Sequence, residues 1–304
     1  MSKKKNIVIA LMGGCALLQS AKSQSQLELT IQQFNDREVT GYVQPLGDFF
    51  GANMNAGFYH ASAIPANGFH FEIELVGVAS VIGEQHKVYD AALPAGFTPA
   101  GGSYKTATVF GGKGTVFRDA SSGLEYKGSD GLVRASIFPL LIPQATIGSI
   151  FGTEIVFRFM KTPQLSQRWY PTESTLLGGG IRHSISQYFS NPEVDIAIGG
   201  FYSTFELGDV IHVQAKTITF SAGKTFSLVT LYVGMGYEWS TMHLHYDYKG
   251  EGGSTPRLAD VTIEGANRFR ATGGLMIDLQ AFRIFADANF GNVQHFAGGI
   301  GFGF

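Results

Sequence analysis

A period of two constrains this chain more than any other feature. From residue 177 onward apolar residues alternate with small or polar ones, in runs reaching the roughly 9 to 11 residues a strand needs to cross a bilayer. Over 177–189 the outward set is Leu177, Gly179, Ile181, His183, Ile185 and Phe189, opposite Gly178, Gly180, Arg182, Ser184, Ser186 and Tyr188. Asn191-Pro192 turns the chain, and Val194, Ile196, Ile198 and Tyr202 then oppose Asp195, Ala197 and Ser203. Val229, Leu231, Val233, Met235, Tyr237 and Trp239 oppose Thr230, Tyr232, Gly234, Gly236 and Glu238, and this run ends on the aromatic pair expected at a membrane interface.

The last three runs repeat the pattern. Phe269, Ala271, Leu275, Ile277 and Leu279 alternate with Arg268, Arg270, Thr272, Met276 and Asp278; Phe282, Ile284, Ala286, Ala288 and Phe290 with Arg283, Phe285, Asp287 and Asn289; Phe296, Ile300, Phe302 and Phe304 with Ala297, Gly299, Gly301 and Gly303. Further runs at 69–81, 153–159 and 211–220 bring the expected count to about twelve strands, with ten to fourteen allowed. No later segment holds the ~18 consecutive apolar residues of a spanning helix. Charged residues are only 15% of the chain, against about 25% in an ordinary soluble domain. A charge-poor chain without spanning helices can satisfy its backbone in lipid only as a closed barrel. The expected fold is therefore all-β, an antiparallel transmembrane barrel. A final strand closing on Phe302 and Phe304 resembles the C-terminal signal of outer-membrane barrels, which makes the barrel-assembly machinery and outer-membrane lipid the expected partners.

The N-terminus gives the route. Lys3, Lys4 and Lys5 precede an apolar run over 7–18 and small or polar residues at Ser20, Ala21, Ser23 and Ser25, the pattern of a secretory signal peptide. Ala21-Lys22-Ser23 fits small-x-small cleavage, so residues 1–23 are expected to leave and the mature chain to start at about Gln24. The rival reading acylates Cys15 in a lipoprotein box, Met12-Gly13-Gly14-Cys15, but strands Ala16, Leu17 and Leu18 outside the apolar run. Cleavage after Ser23 removes four of 22 basic residues, leaving 18 against 24 acids and a mature charge of −6. That balance offers no clustered cations for nucleic acid. With Cys15 gone, no disulfide framework or Cys-ligated zinc can form.

The first half is less regular. Val39, Tyr42, Val43, Leu46, Phe49 and Phe50 follow helical spacing, with Pro45 expected to kink or divide the helix. Residues 24–55 are expected to form a plug tucked into the barrel or a periplasmic cap, and 56–304 the barrel. Residues 83–130, rich in Gly, Ser and Pro, read as an extracellular excursion or extra hairpins. Short links at 191–192, 222–225 and 279–281 belong on the periplasmic side, and the long polar stretches 161–174 and 247–267 outside.

Tyr42-Val43-Gln44-Pro45-Leu46-Gly47, with Phe50-Gly51-Ala52-Asn53-Met54-Asn55-Ala56-Gly57, resembles a family of bacterial outer-membrane proteins known only as a domain of unknown function. Pro143-Gln144, Gly152-Thr153-Glu154 and Arg182-His183-Ser184-Ile185-Ser186-Gln187 add to the likeness, which covers most of the mature chain. That family is distantly similar to the long-chain fatty-acid transporter barrels, whose N-terminal segment plugs the lumen. The resemblance implies a plugged barrel and carries over no functional residue.

The strand phases place seven acids in the lumen, Glu72, Glu74, Glu154, Asp195, Glu238, Asp278 and Asp287, against six bases, Arg158, Arg182, Lys216, Arg268, Arg270 and Arg283. Near balance predicts cross-lumen ion pairs rather than a single-sign filter. Met160, Ile218, Phe220, Tyr232, Met276 and Phe285 add apolar interior, which suits a narrow or plugged lumen binding or passing small hydrophobic molecules. A structural or surface-display barrel without transport is the alternative, and a lipid esterase a distant third. Adjacent His183 and Ser184 point to opposite strand faces and cannot pair. His243, His245 and Asp247 share a face and could chelate a metal, but a wetted girdle explains them better. Gly223-Lys224-Thr225 lacks the first glycine of a P-loop, that position being Ile218. The expectation is no enzyme, no catalytic set, no metal and no cofactor.

Overall fold

The computed structural model describes residues 36–93, 97–99, 101–162, 173–248 and 257–304. The expected signal peptide, its expected cleavage site and Cys15 lie outside them. Among the described residues the strands are β1 (His70–Val81), β2 (Val88–Ala92), β3 (Ser103–Ala107), β4 (Val116–Arg118), β5 (Glu125–Lys127), β6 (Ile137–Ile150), β7 (Thr153–Thr162) and β8 (Ser174–Ser184), followed by β9 (Asp195–Leu207), β10 (Ile211–Phe226), β11 (Val229–Tyr248), β12 (Arg257–Glu264), β13 (Phe269–Leu279), β14 (Phe282–Phe290) and β15 (His295–Gly303). One long helix, α1 (Asp36–Asn55), precedes them.

Ten strands close an antiparallel barrel in the order β10-β9-β8-β7-β6-β1-β15-β14-β13-β11, and β11 pairs back onto β10. First and last strands meet, from Glu72 opposite Gly303 to Ser80 opposite His295. The expected twelve strands are thus corrected to ten in the barrel, with β12 as an eleventh strand outside the ring. Ten is the lower limit of the ten to fourteen allowed, and the excursion after β1 folds as two small hairpins, β2–β3 and β4–β5, which matches the reading of extra hairpins there.

Tight turns gather at one end: Phe151-Gly152, Ser227-Leu228 and Gln280-Ala281. Phe151 and Gly152 both have positive φ, 49° and 64°, the pairing a two-residue hairpin of right-handed twist requires. The 191–192 and 279–281 links lie at this turn end as expected; 222–225 lies inside β10. Residues 177–189 also stop short, because the strand ends at Ser184 and Ser186–Tyr188 form a 3-10 turn that leaves Tyr188 exposed.

The outer face carries a belt of exposed apolar side chains, among them Leu177, Ile181, Leu231, Val233, Phe290, Ile300 and Phe302. In a protein solvated all round by water such a surface would be a severe aggregation hazard; against lipid it is the stable arrangement. The belt stops partway up the strands. On β11 the outward residues are apolar as far as Trp239, after which Met242 and Leu244 turn inward and are buried. β10 inverts likewise: Ile211, Val213 and Ala215 are buried inside, while lower down Ile218 (53% exposed) and Phe220 (48%) face out. Above the belt the outward residues of β10, His212 and Gln214, are polar and the apolar ones lie inside, the pattern expected where a wall leaves lipid for water.

That pattern corrects the expected phase of β10. The expected phase put Lys216, Ile218 and Phe220 in the lumen; the strand keeps the opposite phase throughout, all three face outward, and Lys216 lies over the Tyr202 ring. Thr217, Thr219 and Ser221 face inward instead. Arg268, expected inside, pairs at 2.6 Å with Glu264 in a partly exposed position.

The inward apolar residues at the loop end have a partner in α1. Val43, Leu46, Phe49, Phe50 and Met54 are wholly buried, and Pro45 lies within an unbroken helix rather than dividing it. Proline costs a helix interior about 3 kcal/mol, which packing on every side offsets. Phe50 stacks on Phe205 at 4.9 Å and meets Phe138 edge-on at 4.9 Å. Close approach is possible because residues 47 and 51, one turn apart, are glycines. A Cβ there would come within 2.8 Å of Ile263 Cγ2 and 2.0 Å of Ser240 Oγ respectively. Of the two sequence readings, the helix is the plug in the barrel rather than a cap outside it.

Ile181→Arg puts a charge on the belt and is expected to lower stability by roughly 2 to 4 kcal/mol if near the midplane, read by urea unfolding from lipid vesicles. An unchanged midpoint would show that this face does not meet lipid.

Candidate functional site

The plug is anchored at its top by an interruption in the wall. β11 pairs with β13 up to Tyr237 opposite Phe269 and with β12 from Thr241 opposite Glu264. Over 265–268 the regular pairing is interrupted: the Gly265 N–H still donates to the Ser240 carbonyl and the Glu238 N–H to that of Arg268, but 266 and 267 leave the ladder, and their backbone groups must find other partners. The Ala266 N–H donates to Asp48 Oδ1 at 2.8 Å, and the Glu264 carbonyl accepts from Gln44 Nε2 at 2.8 Å. Asn267, also in the gap, donates to Glu238 Oε2 at 2.7 Å, and Glu238 lies 3.1 Å from Arg270. Further round the wall, Asn53 of the plug donates to the Phe138 carbonyl and accepts from Ser80 Oγ at 2.6 Å.

Below α1 the chain descends through the lumen as an irregular strap, residues 56–69, into β1. Arg158 of β7, wholly buried, holds its start. Its Nη1 and Nη2 donate to the carbonyls of Met54 (3.1 Å) and Ala56 (2.8 Å), Nε donates to Gln144 (2.7 Å), and its guanidinium lies 3.4 Å from the Phe58 ring centroid. Gln144 passes the contact on to Glu74 at 2.6 Å, which lies 2.9 Å from His60 of the strap. Lower, Arg182 pairs with Glu154 at 2.5 Å and donates to the Ala61 carbonyl, while His70 lies 3.3 Å from Glu154. The Ser149 hydroxyl donates to the Pro65 carbonyl and the Gly152 N–H to that of Ala66, fixing the strap to the turn end.

Between strap and wall at this end lies a cavity of about 590 Å³. Phe58, Tyr59, Ala63, Ile64, Pro65, Leu228 and Met276 give it apolar surface. Its charged lining is Glu72, Glu74, Glu154, Asp195, Asp278, Arg182 and Arg283, with His60 and His70. Arg283 serves two acids, Glu72 and, at 3.1 Å, Asp278.

Of the eleven expected lumen residues, Glu154, Arg158, Arg182, Asp195, Tyr232, Glu238, Arg270, Asp278, Arg283 and Asp287 face inward, and Lys216 does not. Tyr232 donates to Asp287 at 2.9 Å higher in the lumen. Gln144, His60, Asn267 and the strap carbonyls were not singled out from the sequence: uncharged groups in a fragmented pattern give no periodic signal. With Lys216 and Arg268 outside, the near balance of lumen charge is corrected to seven acids against four arginines. His243 hydrogen-bonds with Thr262 at 3.0 Å, and the Asp247 side chain lies outside the description. His183 faces out toward Thr153 and Tyr188, whereas Ser184 is buried inward and Ser186 hydrogen-bonds with the Ile196 backbone.

Arg158→Met leaves the Met54 and Ala56 carbonyls and Gln144 without this donor and is expected to cost on the order of 3 to 5 kcal/mol, whereas Lys216→Ala stays within about 0.5 kcal/mol. Urea unfolding of both variants in vesicles checks this; equal effects would contradict the assignment of inside and outside.

No curated protein matches the chain. Among solved structures it is similar to OmpT, an outer membrane protein of Vibrio cholerae (10% identity, 79% of this chain and 100% of that one, TM-score 0.28). It is similar also to Ail, the attachment invasion locus protein of Yersinia pestis (11%, 78% and 99%, TM-score 0.26), and to a FadL homologue of Pseudomonas aeruginosa (10%, 87% and 96%, TM-score 0.26). Overlaps this loose carry no argument, and the barrel stands on its own strand pairing. The model of DUF6588, a family of unknown function, matches residues 1–304, and the protein belongs to that family.

Proposed function

We propose that this is a plugged barrel of the bacterial outer membrane, exported through a cleaved signal peptide, that binds a small, partly apolar molecule in the chamber beneath its plug. Its turn end then faces the periplasm and its hairpins the exterior. The observation that carries the reading is the chamber of about 590 Å³, roofed by the strap and lined by both apolar side chains and charges. A pocket of several hundred Å³ with apolar walls and a few convergent polar groups is the usual form of a small-molecule site. An open diffusion pore is disfavoured by the buried helix across the loop half. Passage through the barrel requires the strap to leave Arg158 and Arg182, whereas binding does not.

The alternative, a structural barrel without ligand, draws its support from the same buried helix, since a lumen filled for stability needs no cargo. Two measurements on the full-length protein separate these readings. In planar bilayers it is expected to show no sustained porin-like conductance, and native mass spectrometry after gentle extraction is expected to show a small molecule retained at about one per chain. A steady open conductance would contradict the plugged reading; a chain that retains nothing and binds nothing would favour the structural one.

A further inference from the structure

The chamber's charge is lopsided. Five carboxylates line it against two guanidinium groups, a formal net of −3 with histidines neutral. Both arginines are already engaged, Arg182 by Glu154 and the Ala61 carbonyl, Arg283 by Glu72 and Asp278. A ligand carboxylate or phosphate would therefore meet no free cation among the described residues. Asp195, at the first residue of β9, has no ion pair or side-chain hydrogen bond among those residues and lines the chamber. An independent observation points the same way. His60 also lines the chamber and is only 7% exposed; its Nε2 lies 2.9 Å from Glu74 Oε1 without hydrogen-bond alignment, and neither of its buried ring nitrogens has a hydrogen-bond partner among the described residues. In either tautomer of the neutral ring one of these nitrogens is an acceptor, which a donor entering the chamber would satisfy.

We propose that the chamber selects a ligand carrying a protonated amine beside an apolar group, the amine meeting the carboxylates and His60 and the apolar group lying against Ile64 and Met276. This rests on the chamber reading above and adds the sign of the ligand's charge. A cation entering a site where carboxylates outnumber guanidinium groups gains attraction that low surrounding polarity strengthens, and an anion meets repulsion of the same origin.

The test compares three water-soluble probes of one shape, 2-phenylethylamine, 2-phenylethanol and phenylacetate, titrated into the full-length protein in nanodiscs, with empty nanodiscs as blank. The amine is expected to bind at least about tenfold more tightly than the acid at neutral pH, with the alcohol between them. Asp195→Asn, a change at the partly exposed rim, is expected to reduce the amine's advantage several-fold while leaving the alcohol's affinity unchanged. Equal binding of all three probes, or preference for the acid, overturns the charge assignment and leaves the chamber reading standing. Failure of all three to bind overturns both.

Discussion

Arg158 joins the two parts of the molecule. A guanidinium with no exposure to water must find partners for its donors or lose several kcal/mol of solvation. Here it finds two carbonyls where the plug leaves its helix and one side chain on the neighbouring strand. The carbonyls gain as much, because an irregular strap inside a barrel has no ladder to satisfy it. Wall and plug thus complete each other's hydrogen bonding. Through Gln144 and Glu74 the same network reaches His60 and sets the roof of the chamber.

Two interiors follow from that junction. Toward the loop end the lumen is a helix packed on apolar strand faces, as in a water-soluble protein, and the outward residues of β10 there, His212 and Gln214, are polar. Toward the turn end the apolar residues have moved to the belt, and the lumen holds charges, hydroxyls and the chamber. The polarity inversion along β10 and β11 is the boundary between these regimes.

Much of this was legible in the sequence. The alternation from Leu177 to Phe304 gave the outward and inward faces of β8, β9, β11, β13, β14 and β15, because lipid on one side and polar interior on the other impose one phase over the belt. Helical spacing from Val39 to Phe50 gave the plug helix, although Pro45 argued for a break that tertiary packing overrides. What was not legible in β10 has a physical origin: the strand keeps one phase throughout, but its inward residues change from apolar at Ile211, Val213 and Ala215 to polar at Thr217, Thr219 and Ser221. That misplaced Lys216, Ile218 and Phe220 and made the lumen seem balanced in charge. The interruption at 265–268 was hidden in a stretch read as loop, since its role appears only when Asp48 and Gln44 are brought against it.

The central claim is that α1 and its strap are integral parts of the folded barrel, as firmly held as its wall. Hydrogen exchange of the full-length protein in lipid, followed by mass spectrometry, tests it most directly. Peptides covering 43–55 are expected to exchange as slowly as those of β11, because the helix can open only when the wall around it does. Exchange of these peptides within seconds, while the strands stay protected, would show a plug resting loosely in an open lumen and would contradict the account.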